Sequence, residues 1–489
     1  MVNIMEIMGD KAFSIKPRII LFVWLSLLFS GDLLAEIRVE PDIAASISYT
    51  DNVALSEDVS AVSAGIMQFT PGLSLYANGR SVDAAIRYEL QNLYFTDDAS
   101  TGLDKYQYYH KLNGTVKAEI QENLLYFDGG LSTYQLSPTT NGLETLDNFS
   151  LSANRQTVKR VSLSPYLSTR LGEYANTEVR YRYTNLMGDS RVVNDSHINE
   201  VSFSLDSGEM FNRIIWSLDG ISRDVVYEAQ DDTSFESIAI GMDYELSDKI
   251  NVLLKAGYEN NEYQTFAVNS IDDNYWSVGV RFQPGDRTDI LLESGHRYFG
   301  DTGLVDINHR ARNTNWKVSY LEDITTRSLL DIESQVVLVA NDSEQAIGDS
   351  QIFGLLSLPS LTTEAILRKR TTAGVELNYN KLMGRINLSQ TKYDYQLSGD
   401  SERINAADLG LIWSYTSKTD ISVTKYYQHR DFQTSGTRER LQQWILAMNQ
   451  LISRRTSINL EYRNTSLESD TGSDEYTQNV YSLGIKTKF

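Results

Sequence analysis

The sequence predicts an all-β fold, a large antiparallel transmembrane β-barrel of about 22 strands, on three observations. Apolar and polar residues alternate with a period of two through almost the whole chain beyond its first few tens of residues. The alternating segments run to roughly 10–15 residues, longer than the ~5–6 of a soluble strand and enough to cross a bilayer at a tilt. The chain closes on one more such segment, which ends in an aromatic residue, Phe489.

The first element is a targeting segment. Lys11, Lys16 and Arg18 precede the apolar run 19–29, and Ser30-Gly31-Asp32-Leu33-Leu34-Ala35 follows it. A basic start, an apolar core and a small residue at the cut describe a secretory signal peptide. The run is too short for the ~20 residues of a spanning helix. The predicted organisation is a signal peptide over 1–35 and one barrel domain over 36–489 in the outer membrane of a Gram-negative cell.

Composition agrees with export and strands. There are 0 cysteines, so no disulfide framework and no Cys-ligated metal. Tyrosine is abundant at 29 and proline sparse at 7, which suits strands and membrane interfaces. The net charge of −21 argues against nucleic acid, since phosphate contacts need a Lys and Arg surplus.

Along the strands, one face is apolar and the other carries charges of both signs. Ala84, Ile86, Tyr88, Leu90 and Tyr94 oppose Arg87, Glu89 and Gln91; Val179, Tyr181 and Tyr183 oppose Glu178, Arg180 and Arg182. Ile238, Ile240, Met242, Tyr244 and Leu246 oppose Asp243 and Glu245, and Trp276, Val278, Val280 and Phe282 oppose Arg281. Apolar-out and polar-in is the barrel pattern. Arg87, Glu89, Arg180, Arg182, Asp243, Glu245, Arg281, Glu293 and Arg297 are therefore the candidate lumen-facing residues, with Lys255, Glu376, Arg385, Glu461 and Arg463 beside them. Mutual pairing in a wet interior is the simpler role for any one of them; a charged path guiding a solute is the alternative.

Ten short turns are expected at 77–81, 121–123, 171–174, 206–212, 247–249, 284–287, 322–325, 381–384, 417–420 and 453–456. Longer, often acidic stretches alternate with them at 97–104, 137–147, 188–199, 229–233, 260–273 and 468–474. Short periplasmic turns and longer acidic outer loops are the usual asymmetry. Counting gives 22 strands within a range of 18–22, with both ends in the periplasm. Alternation starts about ten residues after the cut, which leaves no room for the large N-terminal plug of a TonB-dependent transporter, so a barrel with no plug domain is expected. Residues 137–154 form either a long loop or an extra hairpin. Residues 333–365, apolar at 352–356, form either an outer loop or a segment folded inward to constrict the lumen.

In the last strand Tyr481, Leu483, Ile485, Thr487 and Phe489 share a face, which resembles the signal read by the barrel-assembly machinery. His110, His197, His296, His309 and His429 are scattered and none sits in a nucleophile motif, so no catalytic residue is assigned. No calcium-loop spacing occurs, so neither metal nor cofactor is assigned. Most tyrosines suit an aromatic girdle; Tyr275 and Tyr393, on the polar face, are the better candidates for stacking on sugar rings.

The segments Pro41-Asp-Ile-Ala-Ala-Ser-Ile-Ser-Tyr-Thr-Asp-Asn-Val-Ala-Leu-Ser56, Phe69-Thr-Pro-Gly-Leu-Ser-Leu-Tyr-Ala-Asn78 and Leu163-Ser-Pro-Tyr-Leu-Ser-Thr-Arg-Leu-Gly172 resemble outer-membrane proteins associated with PEP-CTERM/exosortase and exopolysaccharide loci. The resemblance implies a barrel serving surface exopolysaccharide synthesis or export, as pore or accessory component, with polysaccharide export components as partners. The alternatives are a general or solute-specific uptake porin and a structural or adhesive barrel with a filled lumen. The other expected partners are outer-membrane lipid, lipopolysaccharide and the assembly machinery. Continuous lipid-facing alternation favours a monomer. Physically, Thr50-Asp51-Asn52 reads as a strand end entering a turn that its own Asp and Asn side chains cap; a sugar- or ion-binding role is the alternative.

Overall fold

A computed structural model describes residues 35–96, 104–136, 156–188, 195–228, 230–266, 271–340, 358–360, 362–470 and 475–489. The signal peptide lies outside these apart from Ala35, as do the apolar middle at 352–356 and the whole 137–154 stretch.

Among the described residues, twenty-two antiparallel strands, β1–β22, pair with their sequence neighbours in one sheet, among them β6 (Gln156–Leu171), β8 (Ser196–Ser207), β9 (Ile214–Tyr227), β17 (Leu382–Tyr395) and β18 (Ser401–Thr416). β1 (Ala35–Thr50) also pairs with β22 (Tyr476–Lys488), from Asp42↔Lys488 to Thr50↔Val480, and the sheet closes. Closure leaves no free edge, and every strand can satisfy its backbone polar groups inside a bilayer. The strands run from 10 residues in β13 (Thr288–Arg297) to 16 in β1. Outward positions remain open to lipid: Ile240 is 60% exposed, Trp276 53% and Leu483 54%. The predicted faces and the upper end of the strand range are both observed.

Nine of the ten expected turns fall between strands. The exception is 322–325, which continues β15 (Thr314–Thr326); the turn lies instead at 311–313, where the Ala311 amide donates to Thr314 O at 2.8 Å. One false turn replaced one missed turn, so the count stayed correct. The asymmetry of connections is also uneven. Between β13 and β14 (Gly300–Arg310) the outer side has only Tyr298 and Phe299.

The longest connection, 327–364, joins β15 to β16 (Ala365–Tyr379). It opens as helix α1 (Arg327–Ala340), and the Thr326 hydroxyl accepts the Leu329 amide at 3.4 Å, an N-cap contact. The helix turns into the barrel. Leu330 is buried with Leu358, Ile366, Tyr393, Tyr395 and Ile404 near β16–β18, while Leu329 and Ile332 pack on Ile198, Val225 and Tyr227 of β8 and β9. The described parts of this connection that pack, α1 and residues 358–360, lie on the inward side, from Arg327 onward; the rest of the 333–365 stretch, 341–357 and 361, lies outside the described residues. The expectation of a barrel with no plug domain needs correction to this extent: α1 and residues 358–360 of a wall connection pack in the outer lumen.

Candidate functional site

The site is the lumen, and its two halves differ. In the outer half, strand residues that face inward become apolar, as with Ile66, Leu93 and Phe95 beside Val53, and the space is packed. Charged clamps hold the β15–β16 connection there. The Arg327 guanidinium pairs with Asp331 at 3.0 Å and donates to the Pro359 carbonyl. Burial pushes the Asp331 carboxyl upward, opposed by Arg327. Arg368 holds Asp323 at 2.7 Å and reaches Glu333 of α1 at 2.9 Å.

A second clamp is built on Glu402, 1% exposed. It accepts the Ser360 amide at 3.2 Å, the Ser360 hydroxyl at 3.1 Å and the Tyr395 hydroxyl at 2.6 Å. Arg430 pairs with it at 3.1 Å and donates to Leu358 O at 3.0 Å. Across the lumen, Arg160 of β6 reaches Ile332 O at 3.5 Å and Ser196 meets Ser328 at 3.2 Å.

The predicted lumen-facing residues are on the inner wall and most are paired. Arg87 contacts Asp42 at 3.1 Å and Glu89 at 2.5 Å. Arg180 contacts Asp128 and Glu178, each at 2.8 Å, and lies over the Tyr166 ring at 3.7 Å. Arg182 shares Glu200 with Arg223, and Arg297 grips Glu259 at 2.7 and 2.9 Å. Asp243 accepts from Asn251 at 2.7 Å, Glu293 accepts from Ser277 at 3.3 Å, and Arg281 is 3.7 Å from Asp289. Glu245 shares the inward face of β10 (Thr233–Ser247) with Asp243. These residues line the wall on several strands and do not converge on one point.

Toward the periplasm the lumen holds a cavity of about 1150 Å³, lined in part by Arg287, Arg310, Lys317, Arg370, Glu376 and Asn387. Of the two tyrosines proposed to stack on sugars, Tyr275 faces smaller lumen clefts near Lys255, whereas Tyr393 is 2% exposed beneath α1. Sequence reasoning missed Arg368, Glu402 and Arg430, whose role depends on what they touch across the lumen. The apolar cluster Leu329, Leu330 and Ile332, which breaks the two-residue period, was the available signal for α1. Tyr481, Leu483, Ile485 and Phe489 stand exposed on the outer face of β22 and just beyond it.

No family model and no curated protein matches the chain. Solved structures do. The FrpB iron transporter of Neisseria meningitidis (F3-3 variant) aligns over 92% of this chain and 81% of its own, at 8% identity and a TM-score of 0.52. The siderophore receptor PirA of Acinetobacter baumannii aligns over 93% and 81%, at 7% and 0.50. A point mutant of the ferric enterobactin receptor PfeA of Pseudomonas aeruginosa aligns over 92% and 80%, at 8% and 0.50.

Two expectations are corrected here. The barrel fold of these receptors, set aside for want of an N-terminal plug, is the fold this chain resembles, so the expected lack of a plug does not separate it from them. The exopolysaccharide reading also fails: the matched proteins are iron and siderophore receptors, and a segment packed across the outer lumen is poorly suited to extruding a polymer. At these identities the likeness establishes a fold, and with it a place: the protein is a β-barrel of the outer membrane.

Proposed function

We propose that the barrel is a gated uptake channel for small solutes, with the β15–β16 connection as its gate. The observation that carries this reading is the contrast within one lumen: an outer part in which α1 and its clamps pack against the wall, above an inner cavity of about 1150 Å³ with a polar, charged wall. The matched receptors are named for iron and siderophores; uptake as a class of work carries over, and their cargo does not. Transport rather than catalysis also fits the histidines, which lie on separate strands and turn-side positions. His296 meets Asp301 and His429 meets Asp431, each as a local pair.

Thr326 and Ala365 are directly paired, so 327–364 can be replaced by a short Asn-Gly turn without moving either strand. The replaced barrel should show large stepwise conductance in planar bilayers, where the intact chain conducts little. Equal conductance of the two would remove the gate, and no conductance from either would remove the uptake reading. We also assign recognition by the barrel-assembly machinery to the last strand; deleting Phe489 should lower the amount of barrel recovered in the outer membrane.

A further inference from the structure

Most inner-wall arginines are neutralised. Arg87, Arg180, Arg182, Arg297, Arg385 and Arg463 each have a carboxylate oxygen within 2.6–3.1 Å. In a chain with 65 acidic and 44 basic residues, such pairing is easily supplied. The β14–β17 wall departs from it. Among the described residues, no carboxylate pairs with Arg310, Lys317 or Arg370, although all three line the large cavity. The Nε of Arg370 is buried without a hydrogen-bond partner.

The strand register stacks these cations into a stepped line. Inward-facing rows follow every second residue, about 7 Å apart. At the periplasmic rim the row is Arg310, Asn315 and Glu376; the next is Asn308, Lys317, Gly374 and Asn387. Asp306, Ser319 and Thr372 form the third row, Leu321 and Arg370 the fourth, and Asp323 and Arg368 the fifth, under α1.

The neighbours of Lys317 leave it open. Asn308 donates to Asp306 at 2.7 Å and Asn387 donates to Asp408 at 2.9 Å, so both amides are turned to other carboxylates. Gly374, directly opposite, offers Lys317 no side-chain carboxylate, and the space over it is taken by the Asn387 amide oxygen, 2.9 Å from where a Cβ would stand. At the top of the line the position is already taken, because Arg368 holds Glu333 of α1 at 2.9 Å.

We propose that Arg310, Lys317 and Arg370 form an anion track that binds small solutes carrying two or more carboxylate or phosphate groups. Successive cations of the line stand one or two rows apart and are bridged by a solute with two anionic groups, whereas a single anion engages one of them. The Glu333 carboxylate on Arg368 is the resident counterpart of such a solute at the gate. This substrate class rests on the uptake reading, and its test is independent of conductance.

Citrate, pyrophosphate and uncharged sucrose are titrated into the full chain in detergent by calorimetry, at low and high salt. The expected result is binding of citrate, pyrophosphate or both, weakened by salt, with no heat from sucrose. The tighter of the two anions assigns carboxylate or phosphate as the preferred group. In K317Q/R370Q that binding should weaken by about tenfold or more, as expected for lost charge-assisted hydrogen bonds, while K317R/R370K should retain it. Migration of each variant as a folded barrel before heating controls for assembly. Absence of anion binding by the natural chain, or equal binding by K317Q/R370Q, would overturn the track. Anion binding without conductance from the gate-replaced barrel would leave the track standing and sink the uptake reading.

Discussion

The two halves of this lumen are built from the same strands yet obey different rules. On the outer side, inward positions such as Ile366, Ile404 and Leu93 are buried and behave like the core of a soluble protein. On the inner side, inward positions such as Lys317, Ser319 and Asn387 face a cavity. Leu93 is covered by Val53 and Val62 of the connection that follows β1, whereas around Ile366 and Ile404 the difference lies in what the β15–β16 connection supplies. Where α1 reaches the wall it provides Leu329, Leu330 and Ile332 as packing partners and Glu333 as a counter-charge. Where it does not reach, the wall remains open to water. On the side that α1 reaches, closure is thus a property of one connection, and the barrel beneath should survive its loss.

That separation can be broken most forcefully at Glu402. Its carboxylate receives two donors from Ser360 and one from Tyr395, and faces Arg430. Glu402→Leu leaves Arg430 buried and unpaired, a loss of about 3–5 kcal/mol for a pair broken on one side. Most of that loss should fall on the gate, since the 358–360 stretch is what the pair anchors. Single-channel recordings should show frequent opening, with the barrel still folded. Failure of the whole barrel to assemble would mean that wall and gate are one cooperative unit.

Leu330→Ala tests the same point through packing. Leu330 is 2% exposed in a cluster with Tyr393 and Ile404. Truncation of such a leucine costs about 2–5 kcal/mol, depending on how far the site collapses. The expected readout is faster proteolytic nicking of the β15–β16 connection and intermediate opening, with the thermal transition of the barrel nearly unchanged. A transition lowered as much as the gate is loosened would erase the distinction between the two halves.

The legibility of the molecule follows the same division. Strand faces were readable because each depends only on alternation along its own segment, as in Asn274–Phe282. The missed turn at 311–313, Ala-Arg-Asn, lacks the Gly, Pro and Asp signals that marked others, whereas Glu322-Asp-Ile-Thr mimicked a turn inside a strand. The helix hid behind the absence of a pattern, and its apolar residues acquire meaning only against Ile198 and Val225, distant in sequence. Lys317 looked like any other polar-face residue. That it lacks a carboxylate partner depends on Gly374 and Asn387 across the register, which no single segment contains.

The smallest effect is expected at the seam, far from both halves of the lumen contrast. Asn52, fully buried, donates to Ser56 O at 2.6 Å and to Thr477 O at 3.0 Å, and accepts the Ser56 amide at 3.1 Å. Gln478 donates back to Asn52 O at 2.9 Å, and Asp51 accepts both the amide and the side chain of Asn479. Of the turn chemistry read from Thr50-Asp51-Asn52, the Asn52 part is present; Asp51 instead joins Asn52 in tying the first strand to the last. Asn52→Ala leaves Thr477 O without this donor and opens the turn, a cost of about 1–3 kcal/mol. It should lower the temperature at which the folded barrel converts to the unfolded form, while conductance stays at the level of the natural chain. Opening of the channel by this substitution would show that the seam sets the position of α1, and the two halves would no longer be separable.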